Sequence, residues 1–214
     1  MDLCGDKMRC KAAMLEAKVP TVPGSPGLVK DAGEAEKIAN EIGYPVMLKS
    51  VYGGGGRGIR IVTSDKELHE GFDSVTGESI AAVGKSAILV EKFLEKTRHI
   101  EYQFARDTHG NAVHIFEREC SIQRRNQKLI EQTPSPIMDE ETRARIGELV
   151  VNAAHAVDYT NLGTAEFLRA DNGEFYFIEI NARLQVEHPI TEFVSGLDLV
   201  KLQLDIANGE PIPF

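Results

Sequence analysis

A run of glycines, Gly53-Gly54-Gly55-Gly56-Arg57-Gly58, stands between two apolar stretches that read as strands, Val46-Met47-Leu48-Lys49 and Ile59-Arg60-Ile61-Val62. Gly53, Gly55 and Gly58 satisfy G-x-G-x-x-G, yet a dinucleotide-binding turn needs a helix after it, and here a strand follows. A phosphate-binding P-loop is excluded as well, because Gly58 leads into Ile59-Arg60 where Lys-Ser/Thr is required. What remains is strand, glycine loop, strand, which is an antiparallel hairpin and not a unit of a doubly wound sheet. Such a hairpin can lie over phosphates and donate backbone N–H groups. Without Cβ atoms it admits close approach. Lys49, on the entering strand, is placed to reach an anion. A plain surface hairpin is the alternative.

The rest of the chain has the same organisation. Asp6 to Ala17 reads as a helix, ended by a Pro-rich turn or linker from Val19 to Gly27. Asp31 to Ile42 reads as another, with Ala35, Ile38, Ala39 and Ile42 on one face and Gly43 at its end. Ser64-x-x-Glu67 is a capping box opening a helix to about Phe72. Ile88 to Glu91 is a strand. His99 to Arg106 alternates, turns at Asp107 to Asn111 and returns from Ala112 to Glu117. Asp139 to Val157 carries a helical stripe of Ile146, Leu149, Val150, Ala153 and Val157. A second hairpin follows (Gly163–Arg169 and Glu174–Asn181), then a helix from Asp198 to Asn208 stopped by Gly209 and Pro211. Strands in hairpins with helices between them predict an α+β fold.

Asn172-Gly173 between alternating runs predicts a two-residue type I′ turn. With that turn Asp171 faces Glu174, Glu166 faces Glu179 and Thr164 faces Asn181. Glu179 and Asn181, two apart, share a side. The hairpin is otherwise apolar on both sides and is expected to be buried on both. Like charges opposite each other destabilise a sheet, more so when buried. A cation between them removes that penalty. Glu166, Glu179 and Asn181 offer hard oxygen donors suited to Mg²⁺ or Mn²⁺, with room left for water and phosphates. A solvated hairpin end, each acid paired with Lys or Arg, is the alternative.

The chain has 33 acidic and 24 basic residues, a net charge of −9, and 42% apolar residues. This excludes wholesale disorder and argues against nucleic acid as the main partner. No stretch approaches the roughly 18 apolar residues of a membrane span, and Met1 to Lys7 contains no apolar leader core. Three cysteines, Cys4, Cys10 and Cys120, point to a reducing compartment and structural thiols. Glu119 to Lys128 is a local basic segment, to be read as an anion site or as a solvated face. Arg183 has the fork geometry for a planar anion. Glu187 is a candidate general base or a salt-bridge partner, and His188 reads as structural.

Together these segments resemble biotin carboxylase, the ATP-grasp component of biotin-dependent carboxylases. The resemblance runs through Gly5-Asp6-Lys7, Tyr44 to Lys49, Gly53 to Gly58, Glu91 to Leu94, Arg98 to Glu101, Cys120 to Arg125, Phe175 to Asn181 and Arg183-Leu184-Gln185-Val186-Glu187-His188-Pro189-Ile190-Thr191-Glu192. The glycine-rich and Glu-x-Asn motifs are shared with carbamoyl-phosphate synthetases, whereas the Arg-x-Gln-Val-Glu-His run is more specific. The resemblance implies an ATP-grasp fold with two α/β lobes closing on a nucleotide. Residues 1–20 lead in, 21–93 form a mobile lid, and 94–214 carry the metal and bicarbonate sites.

Lys7, Lys49, Gly55, Gly56, Glu91, Lys92, Leu94, His99, Gln123 and Asn126 are the implied nucleotide contacts; many members have His where Asn126 stands. Glu166, Glu179 and Asn181 are the implied metal ligands. Lys128, Arg183, Gln185 and the backbone of Val186 form the implied bicarbonate site, with Glu187 as base. The implied reaction is attack of bicarbonate on the ATP γ-phosphate, giving carboxyphosphate and ADP, then carboxylation of biotin on a carrier. Partners so implied are a biotinylated carrier, a carboxyltransferase and a second copy of the full enzyme, in the cytoplasm or the mitochondrial matrix. The family also has domains on both sides of this region, so the chain reads as an ATP-grasp portion. A carbamoyl-phosphate synthetase-like ligase and a non-catalytic nucleotide-binding module are the other readings.

Overall fold

The computed structural model describes residues 2–51, 58–125 and 127–214, so Gly55, Gly56 and Asn126 lie outside the described residues. Two short helices come first, α1 (Asp2–Gly5) and α2 (Lys7–Glu16). Asp6 caps α2 by accepting from the Met8 and Arg9 amides at 3.0 and 3.1 Å. The chain then divides into two units, Val22–Glu95 and a second made of residues up to Thr21 with Lys96–Phe214.

The unit Val22–Glu95 contains α3 (Ala32–Ile42), β1 (Val46–Ser50), β2 (Ile59–Val62), α4 (Asp65–Val83) and β3 (Ile88–Lys92). Its sheet has the order β2-β1-β3 and is antiparallel throughout, and the β1–β2 pairing is the one that the strand–glycine–strand pattern requires. Asp31 caps α3 and Ser64 caps α4. The second helix runs 11 residues beyond the expected Phe72, to Val83. Low-propensity residues (Ser74, Thr76, Gly77) hid that extension, but Leu68, Phe72, Val75 and Ser79 continue one buried stripe. Helical faces and strands meet in a core that includes Ala35, Ala39, Leu48, Leu68, Phe72 and Val90.

The Pro-rich segment is more than a linker. Its backbone, with that of Val29 just after it, bonds along β3: Lys92 N to Pro23 O at 2.7 Å, Ser25 N to Val90 O at 2.7 Å and Val29 N to Ile88 O at 2.9 Å. That covers an open sheet edge. At Gly24 a Cβ would lie 2.3 Å from the Val90 carbonyl oxygen, a backbone atom that cannot swing aside. Gly24→Ala is therefore expected to destabilise the chain by about 1–3 kcal/mol, read as a lower urea midpoint.

The other unit adds β4 (Arg98–Arg106), β5 (Ala112–Arg124), β6 (Gln127–Gln132), α5 (Glu140–Ala156), β7 (Asn161–Arg169), β8 (Phe175–Asn181), α6 (His188–Ser195) and α7 (Leu199–Ala207). The five strands pair antiparallel in the order β6-β5-β4-β7-β8. Met14 of α2 and Ile146, Val150 and Ala153 of α5 pack with Ile100, Tyr102, Phe104 and Phe167. Leu199, Leu202 and Ile206 of α7 pack with Ala105, Ile115 and Leu162. Helices and antiparallel sheets make the α+β class expected. The sequence pattern did not reveal β6, α6 or the far half of β5. The last of these carries Arg118 and Glu119, both buried; with Glu117 just before them, their charges broke the apolar alternation.

The Asn172-Gly173 turn differs from the two-residue form. Ala170 bonds to Glu174 around a three-residue loop, Asp171-Asn172-Gly173, and in it only Gly173 has positive φ, at 87°. A type I′ turn needs positive φ at both central residues. The pairing begins one residue out of the expected register, with Phe167 opposite Phe177. An irregularity between Glu166 and Phe167 then restores it, and Glu166 pairs with Glu179 and Thr164 with Asn181 as expected. Burial on both faces holds for β7 and not for β8, which is the edge strand and leaves Ile178 38% exposed.

Asp107 ties the far end of the chain to the β4–β5 turn. Its buried carboxylate accepts from the amides of His109, Asn111 and Ile212 at 2.9 Å each, and from Asn111 Nδ2 at 2.7 Å. Burial alone would raise this carboxyl; the four hydrogen bonds outweigh it and hold the group well below the usual carboxylate range. A lowered folded value contributes stability that is full above the unfolded value, about 3.9, and is lost as pH falls. Asp107→Asn is expected to lower the urea midpoint at neutral pH. It should also shrink the drop on going from about pH 7 to about pH 3.

Candidate active site

One row of neighbouring cross-strand positions runs through four strands of the larger sheet. Arg118 on β5 pairs with Glu101 on β4, Glu101 with Glu166 on β7, and Glu166 with Glu179 on β8. Three adjacent acids in one row demand compensation. It comes from the strands and loop around them.

Arg118 Nε donates to Glu101 Oε1 at 2.7 Å. Lys128, which β6 places beside the row, donates to Glu101 Oε2 in a short bond, to Glu187 Oε1 at 2.5 Å and to Glu166 Oε1 at 3.3 Å. Gln123 Nε2 donates to His99 Nδ1 at 2.7 Å, so that Nε2–H of the ring faces Glu166 Oε2 at 2.9 Å. Asn181 Nδ2 and Gln185 Nε2 donate to Glu166 Oε1 at 2.8 and 3.2 Å.

The electrostatics follow from this crowding. Burial would raise the Glu166 carboxyl, but His99, Lys128 and the Gln185 amide bring it down to about 2. Burial likewise opposes ionisation of Glu187, and the hydrogen bond and charge of Lys128 prevail, holding it below its ordinary value. Burial would lower Lys128, but Glu101 and Glu166 push it up. All three are therefore ionised at neutral pH. Glu187 is an ionised carboxylate able to accept a proton, held by a cation beside a buried acid pair. As the N-cap of α6, it is followed by His188, whose Nδ1 lies 2.7 Å from Gln185 O. This supports the structural reading of that histidine.

Next to this cluster lies a cavity of about 230 Å³ whose walls include Lys7, Cys10, Glu179 and Asn181. Lys7 Nζ is 3.8 Å from Glu179 Oε2, a loose pair on a carboxylate that is still 37% exposed. Glu179 thus stays available to a cation, and Glu166 and Asn181 lie on the same stretch of sheet. The donor set of two carboxylates and an amide fits a hard divalent ion. Asn181 presently turns its amide nitrogen to Glu166 and its oxygen to Arg183 Nη2 at 3.4 Å. Arg183 is exposed, and Val186 is 93% exposed, so its side chain takes no part in the cluster.

In the unit Val22–Glu95, Lys49 pairs with Glu91 at 2.6 Å, and Lys92 donates to the Gly43 and Tyr44 carbonyls at 2.9 and 2.8 Å. Leu94 is half-buried there. Glu101, Gln103, Arg118 and Thr191 form part of the cluster and were not singled out from sequence. The signal available was polar residues at alternate positions of an otherwise apolar strand, Glu101 and Gln103. The three cysteines are unbridged, and burial raises Cys10 to about 12, as expected of a structural thiol.

A family model described as the carbamoyl-phosphate synthase L chain, ATP binding domain, matches residues 6–214. Biotin carboxylase of a Nostoc species is 51% identical over 208 residues, 97% of this chain and 46% of the relative. The biotin carboxylase domain dimer of Hydrogenobacter thermophilus 2-oxoglutarate carboxylase, in complex with MgADP, ADP and bicarbonate, has a TM-score of 0.90 at 50% identity, covering 100% of this chain and 47% of that one. A biotin carboxylase–β,γ-ATP complex from Campylobacter jejuni has a TM-score of 0.92 at 46% identity, covering 100% and 48%. The fold is therefore the ATP-grasp fold of those structures, and the chain spans about half the length of the curated relatives it matches.

Proposed function

This chain belongs to the family of the carbamoyl-phosphate synthase L chain ATP-binding domain, and from that premise we propose that it is the ATP-grasp core of a biotin carboxylase, a ligase. The observation that carries the reading is the position of Lys128, which holds Glu187 beside the buried pair Glu101 and Glu166. Glu187 is ionised and within reach to accept a proton from a small acid such as bicarbonate, and Lys128 beside it supplies the charge that attracts that anion.

In this reading Lys7, Lys49, Gly55, Gly56, Glu91, Lys92, Leu94, His99, Gln123 and Asn126 bind the nucleotide. Residues 21–93 act as its lid, excluding water from carboxyphosphate. Lys128, Arg183, Gln185 and the Val186 backbone hold bicarbonate in line with the γ-phosphate, and Glu187 takes its proton. Glu166, Glu179 and Asn181 would hold Mg²⁺ or Mn²⁺, which supplies neutralisation of the phosphate charge. The carboxyl group then passes to biotin on a carrier domain, in partnership with a carboxyltransferase, within a dimer of the full enzyme. A reducing compartment, the cytoplasm or the mitochondrial matrix, agrees with the unbridged cysteines. Among the described residues no helix is long and apolar enough to cross a membrane.

The test joins this chain to the flanking segments of the Nostoc enzyme and follows ADP release. Bicarbonate-dependent ADP formation stimulated by free biotin is expected. Stimulation by ammonia and not by biotin would favour a carbamoyl-phosphate synthetase-like ligase instead. ADP release indifferent to bicarbonate would contradict the proposal.

A further inference from the structure

Arg118 lies in the middle of β5 with no exposed surface. Its Nε donates to Glu101 Oε1 at 2.7 Å. Nη1 donates to Gln103 Oε1 and Thr191 Oγ1 at 3.0 Å each. Nη2 donates to Thr164 Oγ1 at 3.3 Å and Gln185 Oε1 at 3.2 Å. A guanidinium has five N–H groups, and five acceptors meet them here.

Three of those acceptors lead to the anion cluster. Glu101 gives its other oxygen to Lys128. Gln185 has its amide oxygen engaged by Arg118, which turns its nitrogen to Glu166 Oε1 at 3.2 Å. Thr191 sits in the first turns of α6, whose N-cap is Glu187. We infer that Arg118 is a positioning residue: its rigid fork sets Lys128, Gln185 and the start of α6 together, so that they present one geometry to a small planar anion. This rests on the reading of the cluster as a bicarbonate site. Arg118 touches no reactant in this scheme and works through its neighbours.

Charge balance alone is a different role, since the cluster holds three carboxylates (Glu101, Glu166, Glu187) against Lys128 and Arg118. A lysine at position 118 would serve that role equally. It keeps the charge but is a point donor without the planar fork. Arg118→Lys therefore separates geometry from charge.

The experiment is ¹H–¹⁵N NMR of this chain, unsubstituted and as Arg118→Lys. It reads hydrogen exchange of the Gln185 side-chain amide and a bicarbonate titration in the presence of MgADP. A lost hydrogen bond to a charged group corresponds to about tenfold or more. The variant is expected to exchange the Gln185 amide and to release bicarbonate more readily by that factor, with MgADP affinity within about twofold. A folded variant in which either the exchange or the bicarbonate affinity is unchanged overturns the inference. An unsubstituted chain that binds MgADP but no bicarbonate contradicts the functional reading instead, so the two failures are distinguishable. If Arg118→Lys does not fold, Thr191→Val removes one acceptor at nearly constant volume. It should shift both readouts in the same direction by about threefold, and Thr191→Ser should restore them. No shift with Thr191→Val overturns the inference.

Discussion

Glu187→Gln is expected to lower bicarbonate-dependent ATP cleavage by about 10²–10⁴-fold in the chain joined to its relative's flanking segments, the range ascribed to a positioned general base. The substitution keeps the shape and the acceptor oxygen that faces Lys128 at 2.5 Å, so the site should stay assembled. The loss should fall on kcat, with KM for ATP within about twofold, because in the proposed reading the nucleotide contacts are other residues. The pH profile adds a second readout. Lys128 holds the Glu187 carboxyl below its ordinary value, so the base remains ionised down through the usual carboxylate range. Glu187 titration should therefore not produce an acid limb near pH 6. Retained cleavage in Glu187→Gln would remove Glu187 from the role of base.

Lys128→Met is expected to have the largest effect on stability, about 3–5 kcal/mol, the range for breaking a buried ion pair on one side. Three carboxylates converge on Nζ, and Glu101 is completely buried. Removing the cation leaves Glu101 with Arg118 and Glu166 with the His99 N–H, and takes from Glu187 its bond to Lys128. Part of the loss should return in the double variant Lys128→Met/Glu101→Gln, which removes the least hydrated negative charge. Urea unfolding of the single and double variants measures both values. Equal midpoints for Lys128→Met and the unsubstituted chain would show that the cluster does not depend on this cation.

Much of the fold was legible because its signals were local. Asp6, Asp31, Ser64 and Asp139 each cap the helix expected after them, and the glycine run does join antiparallel strands. The opposition of Glu166 and Glu179 was anticipated for an incomplete reason: a longer turn and a later irregularity offset each other by one residue. Periodicity put Glu101 and Gln103 on one face of β4 and did not show that this face is buried. Arg118 and Glu101 are apart in sequence, and each alone looks like a solvent-facing charge. Only the pairing of β4 with β5 shows that they neutralise each other in the interior. The same holds for Glu117, whose carboxylate takes two bonds from Arg143 of α5 at 2.8 and 2.9 Å. The β6 strand was missed because its exposed apolar residues Leu129 and Ile130 are adjacent and give no clean alternation.

The most direct measurement is calorimetric titration of this chain with ADP, with and without Mg²⁺. Binding that tightens at least about tenfold with Mg²⁺, and that loses the Mg²⁺ dependence in Glu179→Gln, is the result expected of a nucleotide–metal site built on the β7–β8 hairpin. Glu179 is the ligand to test because its carboxylate is half-open and only loosely paired with Lys7. Binding indifferent to Mg²⁺, or equally Mg²⁺-dependent in Glu179→Gln, would contradict the assignment of that hairpin as the metal end of the site.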